Sequence, residues 1–355
     1  MNGMIAHSKL TIDESDVEAV SKVLNSGYIS QGGVVKEFED KFSRFIGTEH
    51  GLATNSGTSA LHLVLLALGV GANDEVICPS YVCTAVLNAI NYCGANPRLV
   101  DIDQDDFNID VEDVRRKIGP EVKAVIVPHI FGAPAKVDKF LEFGIPVIED
   151  CAQAIGATYK GRKLGSFGDI AIFSFYATKV MATGEGGMVI TDKNDLFQKA
   201  RDLREFDERQ DYRPRYNYKM TDLQAGLGLS QLERLPEFIE RRKEIARRYD
   251  EGFSGCNFVR PTQSPEAEHI FFRYVVKVTG ELDGYISELK RKGIEAKRPV
   301  FRPLHQYLGL PGDQFPKTEM VYEKALSIPI YPSLGDEEVE FIIKSVCEIF
   351  RADTQ

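Results

Sequence analysis

The stretch DIAIFSFYATKVMATGEGGMVITD runs from Asp169 to Asp192. Its first apolar run, Ile170 to Phe175, reads as a buried strand, and Met188 to Thr191, behind Gly186 and Gly187, reads as a second. Between them stands Lys179, whose neighbours Ala177, Thr178, Val180 and Met181 are small or apolar. No carboxylate adjoins it in sequence, so its ammonium can be held partly desolvated at a strand end. Desolvation lowers a lysine pKa and leaves a nucleophilic amine. Taken alone, a lysine in a loop reads more simply as a side chain reaching for water. The rest of the chain decides between the two.

Working outward, Leu52 to Thr54 is a short strand, followed by Asn55-Ser-Gly-Thr-Ser59 and a helix from Ala60 to Leu68. Small hydroxyl residues and a glycine entering a helix make an anion site, because free N–H groups and the helix dipole point to one place. A plain N-cap by Thr58 or Ser59 fits that segment equally well. Strands at 76–78, 98–102 and 124–128 alternate with helices at 81–91 and 111–118, which indicates a parallel sheet with crossover helices. Ligands of such sheets sit beyond the carboxyl ends of the strands. Pro146-Val-Ile-Glu-Asp150 ends one strand in acid, and a buried aspartate needs a cation or donor opposite it. Pyridoxal phosphate offers one in its protonated ring nitrogen. A hairpin-like excursion, residues 157–166, and a strand separate Asp150 from Lys179.

Towards the N-terminus, Asp13 caps a helix over 13–26 that Gly27 ends, and a second helix spans 34–46. The loop between them, Tyr28 to Gly33, exposes Ser30 and Gln31 and reads as a ligand loop or an interhelical turn. Beyond Thr191 come a helix over 196–203, the basic and aromatic loop Arg209 to Lys219, and a helix over 221–235 that Pro236 interrupts. A charged helix over 238–249 leads to a strand at 271–278, a helix at 282–292, the loop Lys297 to His305 and a last helix from Asp336. This divides the chain into a large domain, 13–236, and a smaller α+β domain, 237–355, with residues 1–12 packing on the latter.

The 355 residues carry a net charge of −10 and no basic run, which excludes a nucleic-acid surface. Six cysteines, at 78, 83, 93, 151, 256 and 347, show neither a C-x-x-C pair nor a histidine at metal spacing, and read as buried thiols without a metal. No apolar run is long enough to span a bilayer, so a soluble cytoplasmic protein is expected.

Six motifs in order, Asn55 to Ser59, Glu149 to Gln153, Ser174 to Lys179, Gly184 to Gly187, Tyr216 to Met220 and Arg302 to His305, resemble the DegT/StrS family of sugar aminotransferases. The resemblance covers about Tyr28 to His305. It implies an α/β chain of the aspartate aminotransferase type I fold, with a large mostly parallel-sheet domain and a smaller C-terminal domain. It further implies a homodimer with shared sites that transfers an amino group from glutamate or glutamine to a nucleotide-linked keto-deoxysugar. The cofactor would be pyridoxal 5'-phosphate, passing through the pyridoxamine form. Lys179 would be the Schiff-base lysine and Asp150 the partner of the ring nitrogen. Gln153 would lie near the phenolic oxygen, Gly57, Thr58, Ser59 and Ser174 would hold the phosphate, and Asn217 would reach the neighbouring subunit's cofactor. Where the family stacks an aromatic ring on the cofactor, this chain has Cys83.

An acidic protein that takes a diphosphate needs local cations. Arg213 and Arg215, and Lys297, Arg298 and Arg302 before His305, are the expected set, with Ser30 and Gln31 as further substrate contacts. Two other readings share the cofactor parts or the fold: a pyridoxal-dependent sugar dehydratase or lyase, and a non-catalytic regulatory relative. Relatives of the first kind carry histidine where Lys179 stands, and the second requires loss of Lys179 or Asp150.

Overall fold

A computed structural model describes residues 3–262 and 264–351 of the chain. Seven strands form the central sheet, in the order His50–Thr54, Gly187–Thr191, Ile170–Ser174, Val147–Asp150, Val122–Pro128, Glu75–Pro79, Asn96–Val100. Only Gly187–Thr191 runs against the others, pairing antiparallel with strands on both sides. Six carboxyl ends therefore share one edge, where Thr54, Asp150 and Ser174 lie. Apolar side chains on both faces of the strands explain the burial. One core holds Val35, Phe38, Phe42 and Phe173, the other Leu61, Val64, Val86, Ile126 and Ile148.

The crossover reading holds, with shifts at element ends. The helix expected from Tyr81 begins at Thr84, because the backbone of Ser80 is engaged elsewhere: its N–H donates to the carbonyl of Val100 and its carbonyl accepts from Leu304. The strand expected from Phe271 begins at Tyr274. The break expected at Pro236 is absent, and one helix of 31 residues runs from Asp222 to Gly252. Proline costs a helix a hydrogen bond and crowds the preceding turn. Leu232, Leu235, Phe238 and Ile239, on both sides of Pro236, are buried in one core, and that shared packing outweighs the local penalty.

A boundary at 236/237 therefore falls inside a helix. Further along the same helix Ile245 and Tyr249 enter a third core with Tyr274, Val276, Leu289 and Ile342, built over the small sheet Phe258–Val259, Tyr274–Val278, Ala325–Ile328. Ile5 joins that core, exchanging backbone hydrogen bonds with Gly293 and Glu295. Val300, Leu304, Phe315 and Val321 pack instead on the large-domain core, where Asp101 accepts from the N–H groups of Lys317 and Thr318. Among the described residues no helix is long and apolar enough to cross a membrane.

One buried ion pair clamps the strand that leads into the site. Arg204, 3% exposed, donates to Glu39 at 2.8 Å and to the Ala53 carbonyl at 2.6 Å, while Glu39 accepts from the Ala53 N–H at 2.9 Å. Removing one member strands the other charge in the core, so Arg204→Met is expected to cost about 3–5 kcal/mol. In urea unfolding, the double change Glu39→Leu with Arg204→Met should cost less than Arg204→Met alone. A single change with no effect on the midpoint contradicts the clamp.

Candidate active site

The helix Gly57–Ala67 follows the carboxyl end of His50–Thr54, and Thr54 and Ser174 both pair with Gly187, from opposite sides. Ser56 caps it, accepting from the Ser59 N–H at 3.1 Å, and the Ser59 hydroxyl turns inward to Asn55 at 2.7 Å. The N–H groups of Gly57 and Thr58, in the first turn, have no partner within the helix, and both residues line the cavity described next, so the turn can serve as an anion cradle. Gly57 is required by proximity: a Cβ there would stand 2.8 Å from the Ser174 Cβ. Gly187 is required likewise, since a Cβ would meet the Ser56 carbonyl oxygen at 2.4 Å.

A cavity of about 320 Å³ opens from this cradle and is lined by Thr58, Cys83, Asp150, Ser174, Lys179 and Glu185, among others. Lys179 sits in the excursion between Ile170–Ser174 and Gly187–Thr191, closed by hydrogen bonds from the Ala177 N–H to the Gly184 carbonyl and from Thr183 to Phe175. Burial pushes its amine below the ordinary lysine value of 10.5, and the partial charges of Cys83 and Asp150 oppose that only in part. Asp150 is 8% exposed, and burial pushes its carboxyl above the ordinary 3.8, against the pull of the Ala152 N–H and of Lys179. Among the described residues the two make no ion pair within 4.0 Å. The cavity thus holds a buried acid, a desolvated amine and an anion cradle at three separate points, and these donors fit a cofactor bearing a ring nitrogen, an aldehyde and a phosphate.

Asp150 is held in place from beneath. Glu149, the preceding residue, accepts from the N–H groups of Gly165, Phe167 and Gly168 and from the Nε2–H of His129, whose Nδ1 accepts from Ala135. His129, Glu149 and Cys151 place donor atoms within 4.8 Å of one another, yet the carboxylate is already fully committed to these hydrogen bonds.

Residues 10–347 match the model of the DegT/DnrJ/EryC1/StrS aminotransferase family. The chain belongs to that family. It is 36% identical to the GDP-perosamine synthase of Caulobacter vibrioides over 95% of its length and 96% of that protein's. It is 35% identical to the spore coat polysaccharide biosynthesis protein SpsC of Bacillus subtilis, covering 99% of this chain and 98% of the other. Spr1654 of Streptococcus pneumoniae, solved in its PMP form, superposes with a TM-score of 0.93 at 31% identity, covering 98% of both chains; it has also been solved in a PLP form. DesV of S. venezuelae, in complex with a ketimine intermediate, gives 0.90 at 32% identity over 94% of each. The α/β architecture is that of these aminotransferases.

Of the residues singled out by sequence, Gly57, Thr58, Cys83, Asp150, Ser174 and Lys179 come together around the cavity. Ser59 is absorbed by the cap. Gln153 lies to one side, its Oε1 accepting from the Phe131 N–H at 2.9 Å. Asn217 is exposed, with its carbonyl against the Asn55 amide at 3.3 Å. Arg213 and Arg215 pair with Asp202 and Asp211, Arg298 with Asp283 and the Tyr322 carbonyl, and Arg302 with the Gln306 carbonyl. His305 is buried, one ring nitrogen on Ser80 and the other on Glu319. The Ser30 carbonyl accepts from the Asp222 N–H, and the Gln31 side-chain oxygen is buried without a hydrogen-bond partner. None of these seven substrate candidates lines the cavity within one chain. Cys83 corrects the expectation of buried thiols: it is exposed into the cavity, as the N-cap of the helix Thr84–Tyr92.

Sequence reasoning missed Ser56, Tyr176 and Glu185 as lining residues, although all three stand inside quoted motifs. It also missed Asp222, whose carboxylate accepts from the N–H groups of Gly32, Val34 and Val35 and so pins the loop of Ser30 and Gln31.

Two pH effects follow from the buried pair. Because the Lys179 amine is lowered from 10.5, loading of the apoenzyme with pyridoxal phosphate should reach its full rate below that pH. A rate that keeps rising through pH 10.5 contradicts a desolvated lysine. Asp150 is raised from 3.8 in the folded chain, so the unfolded state binds fewer protons and its ionised form costs stability above that value. Asp150→Asn apoenzyme should therefore melt higher than wild type near neutral pH, with the gap closing as pH falls towards 3.8, while its transamination slows. A lower melting temperature at neutral pH contradicts this.

Proposed function

We propose that this pyridoxal-phosphate-dependent transaminase moves an amino group from glutamate or glutamine to a nucleotide-linked keto-deoxysugar, for amino-sugar synthesis in a surface polysaccharide or secondary metabolite. The observation that carries the reading is the separation of Asp150, Lys179 and the Gly57–Thr58 cradle around one cavity in a chain of this family. The GDP-perosamine synthase relatives support a nucleotide sugar as acceptor. When bound, the cofactor supplies the conjugated ring into which the electrons of the reacting carbon are drawn.

The chain's own residues do the rest. The cradle and the Ser174 hydroxyl hold the phosphate end, and Asp150, a buried carboxylate lining the cavity, keeps a proton on the ring nitrogen. Lys179 binds the aldehyde, and when an amine displaces it, its low pKa lets it take the proton from the substrate carbon and return it. In this reading Arg213, Arg215, Arg298 and Arg302, with Ser30 and Gln31, receive the nucleotide, and buried His305 anchors its loop on Ser80 and Glu319. The present partners of Arg213, Arg215 and Arg298 include the solvent-facing carboxylates of Asp211 and Asp283, contacts that water and salt screen and that a diphosphate can replace.

The functional unit in this reading is a homodimer in which Asn217 completes the partner's phosphate site. Incubation of the holoenzyme with glutamate or glutamine and a panel of nucleotide keto sugars should yield a nucleotide amino sugar by mass spectrometry, and no amine from any member with either donor contradicts the acceptor class. Mixing Lys179→Ala with Asn217→Ala subunits tests the shared site. A hybrid carries both lesions at one site and none at the other, so activity should return to part of the wild-type value. No recovery places Asn217 in its own chain's site.

A further inference from the structure

Near Lys179, outside the cavity lining described above, stand two guanidiniums that the reading above leaves unused; the charge of Arg273 is close enough to act on the Lys179 amine. Arg273 stands just before the strand Tyr274–Val278, its Cζ 5.0 Å from the centre of the Phe272 ring, and the Lys179 Nζ lies 5.4 Å from the centre of the same ring. Both side chains therefore stand against one aromatic ring. Among the described residues Arg273 has no carboxylate within 4.0 Å. Its hydrogen-bonding neighbour is neutral His7: Nη1 lies 3.0 Å from Nδ1, and Nε2 lies 2.8 Å from the Ser327 hydroxyl. Burial pushes His7 well below 6.5, so it accepts from Arg273 without competing for an anion. Glu295 is committed to the His7 N–H and to Lys297, and Asp105 and Asp106, which line a small pocket together with Arg273, make no ion pair with it within 4.0 Å.

Arg242 lies behind, 3% exposed, donating to the carbonyls of Phe271, Phe272 and Ile330, again without a carboxylate within 4.0 Å among the described residues. Burial lowers Arg242 to about 9 and Arg273 to about 10. Two desolvated cations without a counter-charge are costly unless an anion joins them.

We propose that Arg273, oriented by His7 and backed by Arg242, binds the α-carboxylate of the amino donor. The inference rests on the transamination reading. An amino acid carries its carboxylate on the same carbon as its amine, so the site must lie close to Lys179. The diphosphate of a nucleotide sugar is separated from the reacting carbon by the hexose, and its cations lie elsewhere on the chain. One planar guanidinium matches the two oxygens of one carboxylate. His7 is a positioning residue here, because it touches Arg273 and not the donor.

The test uses the holoenzyme and 2-methylglutamate, which has no α-hydrogen and binds without turning over, followed by the change in cofactor absorbance. Arg273→Ala should weaken its binding at least tenfold, and Arg273→Lys, which keeps the charge but loses the fork, by less. His7→Ala should weaken it by a smaller factor still. GDP binding by calorimetry should be unchanged in all three, and undiminished cofactor uptake certifies folding; if Arg273→Ala fails that check, Arg273→Lys and His7→Ala decide. Unchanged 2-methylglutamate binding in the folded variants overturns the assignment, as does a tenfold loss of GDP binding in its place. Wild-type enzyme that responds to none of 2-methylglutamate, L-glutamate and L-glutamine overturns the donor reading itself, and this site with it.

Discussion

The structure depends on the cost of burying Asp150 and Lys179 in one cleft without letting them meet. Each is pushed towards its neutral form by lost hydration, and a direct ion pair would relieve both. The fold withholds it by placing the acid at the end of one strand and the base in the excursion after the next. The gap between them is where a ligand with its own proton and its own electrophile gains most. Stability is given up in the empty protein so that affinity and reactivity appear in the loaded one.

Holding that gap open takes a rigid frame. Glu149 is locked by three N–H groups and His129, and Arg204 with Glu39 clamps the strand that delivers the cradle. Gly57 and Gly187 admit approaches that any Cβ would block. The reversed strand Gly187–Thr191 matters for the same reason: it turns the Lys179 excursion back across the sheet edge, so that lysine, cradle and acid face one space.

Much of this was legible because it is local. Alternating apolar runs identify the strands, Asp13 caps its helix with a full capping box, and Asn55 to Ser59 entering a helix announces an anion site. Lys179 stands out by its neighbours alone. What escaped depends on contacts distant in sequence, which leave no periodic trace. Asp222 organises a loop some 190 positions earlier, His7 orients Arg273 across 266, and the packing that carries a helix through Pro236 is tertiary. Propensity read Pro236 as a break because a proline's local cost is visible in sequence and the core that offsets it is not. The seven substrate candidates were chosen by charge and motif, and their present partners within the chain could not be read from composition.

The central claim is that Lys179 is the amine to which the cofactor attaches. Borohydride reduction of the loaded enzyme, followed by proteolysis and mass mapping, tests it directly. The account predicts one phosphopyridoxyl-modified peptide, spanning Ser174 to Gly187 and modified at Lys179. A label on any other lysine, or none at Lys179 in enzyme that has taken up the cofactor, would contradict it.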